Sequence, residues 1–402
     1  MSGNTQARKC SGRIHAKSAA DTGRRALVLA SVASMIDLFN ADNINILLNL
    51  GYRVDVAANF DSGSITSQER VDEFKQELTD RGIRVYNIPI PRSLSRKKEM
   101  LQSYKDIKRL VNRNYYTIVH CHSPIGGVLC RAACRRTRKN GTRVIYTAHG
   151  FHFFQGAGVK AWMLYYPAEK ICSNFTDVLI TINHEDYKAA KRLHAKKTVY
   201  VPGIGIHVNE IKNAAADREA KRAEFGLDMD DFIFMSTGQI SVRKNHEIVI
   251  RALADIPDPK VKYFIAGFGE LQEQLKKLAR HLHVDKRVIF AGYRKDIKEL
   301  LHAADAFVFP SIQEGLPVAL MEAMAAGLPV VASRIRGSTD LIEDGTGGYL
   351  VNRNDVKGFS RAMKRIMESD SHGMGIKNQE RVMQFDTSAV NKRMIRIYSG
   401  TK

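Results

Sequence analysis

Short runs of β-branched and other apolar residues alternate with amphipathic stretches along nearly the whole chain. A strand that is apolar on both faces has to be covered on both, as in a parallel sheet, and parallel neighbours need a crossover long enough to hold a helix. The alternation therefore predicts an α/β fold of parallel sheets with crossover helices. Strands are expected over 26–31, 53–58, 84–88, 117–120, 143–147, 178–182 and 198–201 in the first half. In the second half they are expected over 232–237, 262–266, 287–290, 306–309 and 329–332. Two Rossmann-like units follow, joined within 202–216, where Gly203 and Gly205 precede a charged helix over 217–225. With 402 residues, 44% of them hydrophobic, the chain can bury more than one core.

Ligands of open parallel sheets bind beyond the carboxyl ends of the strands, so the loops there are the candidate binding sites. After 232–237 comes Gly238-Gln239-Ile240-Ser241-Val242-Arg243-Lys244-Asn245-His246, a glycine turn that delivers two adjacent cations. Gly267-Phe268-Gly269-Glu270 follows the next strand, and Gly292-Tyr293-Arg294 the one after. Neither half has GxGxxG after its first strand with an acidic residue about 20 positions on, which disfavours a nicotinamide or flavin dehydrogenase.

The fourth loop reads Glu314-Gly315-Leu316-Pro317-Val318-Ala319-Leu320-Met321-Glu322. Pro317 is expected in the first turn of a helix, where its missing N–H costs nothing. Gly315 allows close backbone approach, and the free N–H groups of a helix start favour an anion such as a phosphate. Were 314–322 helical, about 1.5 Å of rise per residue would hold the two carboxylates roughly 10 Å apart. That is wider than the pairs of glycoside hydrolases, at about 5 to 9.5 Å. Two carboxylates beside a phosphate fit sugar hydroxyls better.

The formal net charge is +20, which calls for an anionic partner: nucleic acid, lipid headgroups or a phosphorylated substrate. The excess is concentrated at Arg92, Arg96, Lys97, Lys98, Lys105, Lys108, Arg109 and Arg113, then at Arg131, Arg135, Arg136, Arg138, Lys139 and Arg143. Only Glu99 and Asp106 oppose them. No helix-turn-helix, zinc module or aromatic RNA-binding signature accompanies the charge, so specific nucleic-acid binding is not expected. No apolar run approaches the length of about 18 residues that spans a bilayer. The first 25 residues read as a disordered basic leader rather than a secretory signal. Five cysteines at irregular spacing fit a reduced protein. His120, Cys121 and His122 lack a second ligand pair at metal-site spacing, so no metal is expected there.

These residues together resemble the family 4 glycosyltransferases of the GT-B fold, in particular the bacterial capsular and exopolysaccharide type. The similarity runs from about Ala26 to Ser399. It is carried by Ser31-Val32-Ala33-Ser34-Met35-Ile36-Asp37, Val119-His120-Cys121-His122-Ser123-Pro124-Ile125-Gly126-Gly127 and Tyr146-Thr147-Ala148-His149-Gly150-Phe151-His152. In the second half it rests on Arg243-Lys244-Asn245-His246, the Glu314 to Glu322 motif and Gly327-Leu328-Pro329-Val330-Val331-Ala332-Ser333. The resemblance implies a leader (1–25), an acceptor-binding domain (26–205), a nucleotide-sugar domain (206–385) and a terminal helix (386–402) crossing back to the first. It implies transfer of a hexose or N-acetylhexosamine with retained configuration from a UDP-sugar, without a metal or other cofactor. The acceptor would be a polyprenyl-diphosphate-linked saccharide, and the protein cytoplasmic and peripheral on the anionic inner membrane face.

By position, Lys244 matches the lysine that grips the donor diphosphate, Glu322 the glutamate on the ribose and Glu314 the glutamate on the donor sugar. Gly315, Leu316 and Val318 would present backbone N–H groups around Pro317. Gly238, Gly267 and Gly269 belong to the donor turns, Tyr293 and Arg294 to the nucleobase side, and His149 to the reacting centre. His122, Ser123 and Gly126 would edge the acceptor cleft. Gln239 stands where many members carry arginine, and Arg243 is the neighbouring cation able to replace it. Ala33-Ser34-Met35 stands where many have a glycine pair. A GT-B sugar-nucleotide epimerase would share the fold and donor pocket, but His149 and the Glu314 to Glu322 motif favour transfer.

Overall fold

Strand β1 (Arg25–Val32) is buried at every residue but the first, as a strand covered on both faces must be. It lies in the middle of a seven-stranded sheet in a computed structural model of the protein, which describes residues 23–400. The other strands of that sheet are β2 (Arg53–Asn59), β3 (Arg84–Asn87), β4 (Ile118–His122), β5 (Arg143–Ala148), β6 (Val178–Thr181) and β7 (Lys197–Tyr200). Their order is β3-β2-β1-β4-β5-β6-β7, parallel throughout. The second sheet holds β8 (Phe232–Thr237), β9 (Val261–Ala266), β10 (Val288–Gly292), β11 (Ala306–Phe309), β12 (Val330–Ser333) and β13 (Gly348–Val351). Its order is β10-β9-β8-β11-β12-β13, again parallel. The chain is thus a two-sheet α/β protein of GT-B type.

In both sheets the strand order reverses beside the first strand, between β1 and β4 and between β8 and β11. Such switch points leave a crevice at the carboxyl ends, because the crossovers on either side diverge. The loops carrying Lys244 (after β8) and Glu314 (after β11) flank the switch point of the second sheet. The helix Ala33–Phe39, which follows β1 without a break, and the Ser123 turn after β4 flank that of the first.

The join between the halves is drawn tightly against the rest. Gly203 and Gly205 have φ of +75° and +85°. A Cβ on Gly203 would meet Leu316 at 2.8 Å, and one on Gly205 would meet the Thr387 backbone at 2.8 Å. Beside them Ile206 is clamped by backbone hydrogen bonds, its N–H donating to Phe385 O (3.1 Å) and its O accepting from Thr387 N (2.9 Å). The helix Thr387–Ser399, capped by Asp386, then places Val390, Met394, Ile397 and Tyr398 in the core of the first half.

Several expectations need correction. The helix after Glu314 is Val318–Ala325, and Pro317 is its extended cap residue (φ −79°, ψ 117°) rather than a residue of the first turn. The charged helix expected over 217–225 is Arg218–Ala223, with the Asp217 side chain accepting from Ala220 N. β13 was not expected: it is four residues long, opens on Gly348, and carries no β-branched run. Its pairing with β12 is so close that a Cβ on Gly348 would lie 1.9 Å from Val330 O. Arg131, read as part of the basic surface, has no exposed surface. It pairs with Glu169 at 2.8 Å and its guanidinium lies 3.8 Å from the Tyr146 ring centre. Arg25 opens β1 and pairs with Asp55 at 2.7 Å, so the leader ends before it. Residues 1–22 of the leader, including Cys10, lie outside the described residues. The other four cysteines are buried free thiols.

Candidate active site

A cavity of about 460 Å³ opens between the two sheets. His122, Thr147 and His149 line it from the first half, and Lys298, Val318 and Glu322 from the second. The halves meet backbone to backbone at its edge. A Cβ on Gly315 would fall 2.0 Å from His149 O, and one on Gly150 would fall 3.3 Å from Gly315 Cα. Glycine is required at 315 because a side chain there would wedge the His149 and Glu314 loops apart. Gly337, with φ of +80°, holds the same loop from behind; its Cβ would lie 2.5 Å from Gly315 O.

On the second-half side, both cations of the β8 loop converge on one carboxylate oxygen. Lys244 Nζ lies 2.9 Å and Arg243 Nη1 2.5 Å from Glu314 Oε1. Lys244 also sits 4.8 Å over the Phe309 ring, and burial lowers its pKa against the opposing pull of Glu314. Lys244 and Glu314, expected on separate parts of a donor, are therefore partners here, and Arg243 reaches the same point. The Glu322 carboxyl makes no hydrogen bond among the described residues, and burial pushes it up to about 7, with Lys298 pulling the other way.

The glycines of the neighbouring loops serve packing. A Cβ on Gly267 would lie 1.8 Å from Gly238 O, and one on Gly269 would lie 2.1 Å from Ile240 O. Their lack of a side chain lets the β8 and β9 turns lie edge to edge, with Ile240 N donating to Phe268 O at 2.9 Å. Tyr293 is exposed and faces exposed Phe268 edge-on, ring centres 6.2 Å apart. Arg294 is engaged elsewhere: it forks onto Asp296 (2.6 and 2.8 Å), pairs with Glu224 (2.8 Å) and lies 5.2 Å from the Phe225 ring centre. Its guanidinium is thus held inside the second half by three neighbours.

On the first-half side, His149 Nε2 and His122 Nδ1 are 3.1 Å apart. His122 Nε2 is buried without a partner. Of the facing His122 and His149 pair, one ring nitrogen donates to the other, with the direction following the tautomer. Behind them His120 Nδ1 lies 2.7 Å from Tyr398 Oη, and its Nε2 lies 2.8 Å from Thr147 Oγ1. Burial lowers the pKa of His149 to about 4 and of His120 to about 3, and holds His122 well below the usual histidine value. All three rings are neutral at physiological pH. Among the described residues no cluster of three or more metal-ligating side chains is formed.

Two contributors escaped the sequence reading. Arg336 is buried, donates to Glu314 O at 2.8 Å and pairs with buried Asp186 of the first half at 2.8 Å. Asp186 in turn accepts from Phe151 N at 3.1 Å. One guanidinium therefore ties the Glu314 loop to the loop after His149. Arg336 stands three residues past β12, so the strand-end rule would have reached it had that loop been weighed. Tyr398 carried no signal, because nothing local marks a tyrosine in the last helix as the partner of a histidine in β4.

The residues of this cleft can be placed against known proteins. Residues 217–383 match the family model described as glycosyl transferases group 1, and residues 44–183 match the model described as glycosyl transferase 4-like. A putative glycosyltransferase of Bacillus subtilis strain 168, EpsD, is 34% identical over 384 residues, covering 94% of this chain and 97% of that protein. The chain belongs to the family 4 glycosyltransferases. This glycosyltransferase is also 30% identical over 301 residues to the UDP-Gal:α-D-GlcNAc-diphosphoundecaprenol α-1,3-galactosyltransferase of Escherichia coli, covering 73% of this chain and 77% of that one. Among solved structures, Anabaena Alr3699/HepE in complex with UDP superposes with a TM-score of 0.74 at 21% identity. That match covers 94% of the glycosyltransferase and 100% of the Anabaena chain. The lipopolysaccharide enzyme WaaG superposes with a TM-score of 0.68 at 16% identity, covering 93% and 100%. Both share the GT-B fold with the glycosyltransferase.

Proposed function

We propose that this glycosyltransferase moves a hexose or N-acetylhexosamine from a UDP-sugar to a saccharide carried on a polyprenyl diphosphate, in the assembly of a capsular or extracellular polysaccharide. The observation that carries the proposal is the convergence of Lys244 and Arg243 at the crevice of the second sheet, beside the start of the helix Val318–Ala325 and across from His149. Two cations and a helix N-terminus concentrate positive potential where a leaving diphosphate would gather charge. UDP is favoured by the UDP complex of Alr3699/HepE, and a lipid-linked acceptor by the name of the E. coli relative.

In this scheme the donor diphosphate takes Lys244 and Arg243 from Glu314, freeing that carboxylate for a sugar hydroxyl. The Glu322 carboxylate, without a hydrogen bond among the described residues, accepts from the ribose. The anomeric C–O bond breaks with its electron pair leaving on UDP, and the acceptor oxygen bonds the anomeric carbon from the same face. The acceptor proton passes to the leaving phosphate, so configuration is retained without a side-chain nucleophile. The cations supply the charge that a divalent metal would otherwise supply. Exposed lysines and arginines of the helix Lys97–Asn114 face an anionic inner leaflet.

Calorimetry of UDP and GDP in EDTA, on wild type and Lys244→Ala, tests this. UDP binding that persists in chelator and weakens at least about tenfold in the variant is expected, with turnover lower by about 10² to 10³ in a folded protein. GDP bound in preference to UDP, or a variant of wild-type activity, would overturn the donor assignment.

A further inference from the structure

The helix Val159–Ser173 is inside out. Val159, Met163, Pro167 and Ile171 recur every fourth residue and so share one face, and that face is exposed. Val159 and Met163 are each 74% accessible, Ile171 61% and neighbouring Leu164 53%. The helix's one carboxylate, Glu169, points inward, onto buried Arg131 at 2.8 Å and Tyr146 Oη at 3.1 Å. Its inner side is firmly seated: Tyr166 packs on Phe153 with ring centres 5.3 Å apart, and Cys172 and Ser173 are buried, while Trp162, 42% exposed, leans on Phe153 from the flank (5.5 Å) and borders the outward row. The outward apolar row is therefore a feature of a well-anchored helix, and a monomer in water has no use for it.

The exposed charges on the row's own helix are all of one sign, and the nearby Glu185 carboxylate is taken up by Gln155 N at 2.7 Å before the helix begins. Lys160 and Lys170 are exposed on the same helix. At its far end the short helix Arg135–Lys139 abuts it, with the Arg135 guanidinium 5.3 Å from the Phe175 ring centre and Arg138 donating to Asn174 O at 3.0 Å. Arg135, Arg136 and Lys139 of that turn are exposed. Asp177, just past the end of this helix, is consumed by Arg138 (3.0 Å) and Lys196 (2.9 Å). The basic helix Lys97–Asn114 lies on the same side of the sheet, separated only by the helix Pro124–Ala133. An apolar ridge bordered by uncompensated cations fits the boundary between acyl chains and anionic headgroups. A folded protein partner would need carboxylates to match those cations and a groove to take the ridge. Among the described residues no helix is long and apolar enough to cross a membrane, so the helix would lie in the interface.

We propose that the helix Val159–Ser173 docks the protein on an anionic bilayer, with Val159, Met163, Leu164 and Ile171 entering the acyl boundary and Lys160, Lys170 and the Arg135–Lys139 turn meeting lipid phosphates. The proposal deepens, and for its purpose rests on, the lipid-linked acceptor above. The loop from His149 leads directly into this helix, and Gly150 and Gly156 of that loop lie against Gly315 and Arg353 of the second half. Docking by this helix would set the mouth of the cleft at the bilayer surface, where an acceptor headgroup could reach His149 while its lipid tail stays immersed.

Trp162 is the single tryptophan of the chain and sits on this helix, so its fluorescence reports the docking directly. The full-length protein is mixed with vesicles of phosphatidylcholine, with and without phosphatidylglycerol. On the anionic vesicles the emission is expected to move to shorter wavelength and to be quenched by lipids brominated high on the acyl chain. Met163→Ser combined with Ile171→Ser should weaken vesicle partition by about tenfold or more while UDP affinity stays unchanged. Adsorption that salt abolishes, with no emission change and no loss in the double variant, would overturn the proposal in favour of charge alone. A blue shift that needs no vesicles, rises with protein concentration and disappears in the double variant would overturn it in favour of a second copy of the chain. Transfer to a lipid-linked acceptor in detergent separates the two proposals. Transfer without vesicle insertion removes the docking helix and leaves the reaction. Insertion without transfer to any lipid-linked acceptor leaves the docking helix and removes the acceptor.

Discussion

Glu322 is a carboxyl that the fold holds at a cost. Burial raises its pKa to about 7, so the folded protein prefers it protonated while the unfolded chain ionises it near the ordinary glutamate value, about 4.3. Between those values the folded state binds more protons, and stability falls as pH rises; above about 7 the full cost remains. Glu322→Gln removes the ionisation. The variant should match wild type in melting temperature near pH 4 to 5, exceed it above about pH 7 and bind UDP more weakly. Equal melting curves across that range would show that the carboxylate is not desolvated. The glutamate pair was legible in the sequence because Gly315, Pro317 and the two carboxylates stand together on one short stretch. The partners were not: a lysine and an arginine 70 and 71 residues away occupy Glu314, and no local pattern encodes that pairing.

At the level of elements, the Glu314 loop is positioned by Arg336 and Asp186, a pair with 3% and 1% side-chain exposure joining the two halves. Removing one member of a buried pair strands the other. Arg336→Met should therefore destabilise by about 3 kcal/mol, read by denaturant unfolding, with the companion change Asp186→Asn recovering part of the loss. A cost near zero would mean that Asp186 is satisfied by Asn183 and Phe151 N alone. Elements with a strong apolar run, such as β1 and β8, were legible from the chain, because burial on both faces leaves its mark on every residue. β13 was not, since its place depends on Gly348 fitting under Val330 rather than on strand-forming side chains. Pro317 lies one step before its helix for a similar reason: its ψ of 117° goes with a tight tertiary contact, since a Cβ on Gly337 would lie 3.0 Å from Pro317 Cδ.

For the whole molecule, four buried histidines shape the response to acid. His120 is depressed to about 3, His149 and His246 to about 4, and His122 also lies well below its usual value. The unfolded chain takes up protons near pH 6.5 that the folded one refuses until about pH 4, so each group contributes stability that is present above about 6.5 and lost as pH falls, by up to about 1.4 kcal/mol per pH unit. Glu322 and Asp186, both raised, oppose the trend but are fewer. The melting temperature should drop between about pH 7 and about pH 5, and a flat profile would contradict the burial of this cluster. Sequence alone determined the α/β architecture, the two halves and the strand ends where glycines, cations and carboxylates gather, because apolar periodicity and turn chemistry are properties of neighbouring residues. Only the tertiary structure decided that Arg131 turns inward, that Tyr398 meets His120 across 278 positions and that Arg336 meets Asp186 across 150. Charge and hydrogen-bond partners are chosen by which elements pack together, and that choice is made by the whole fold.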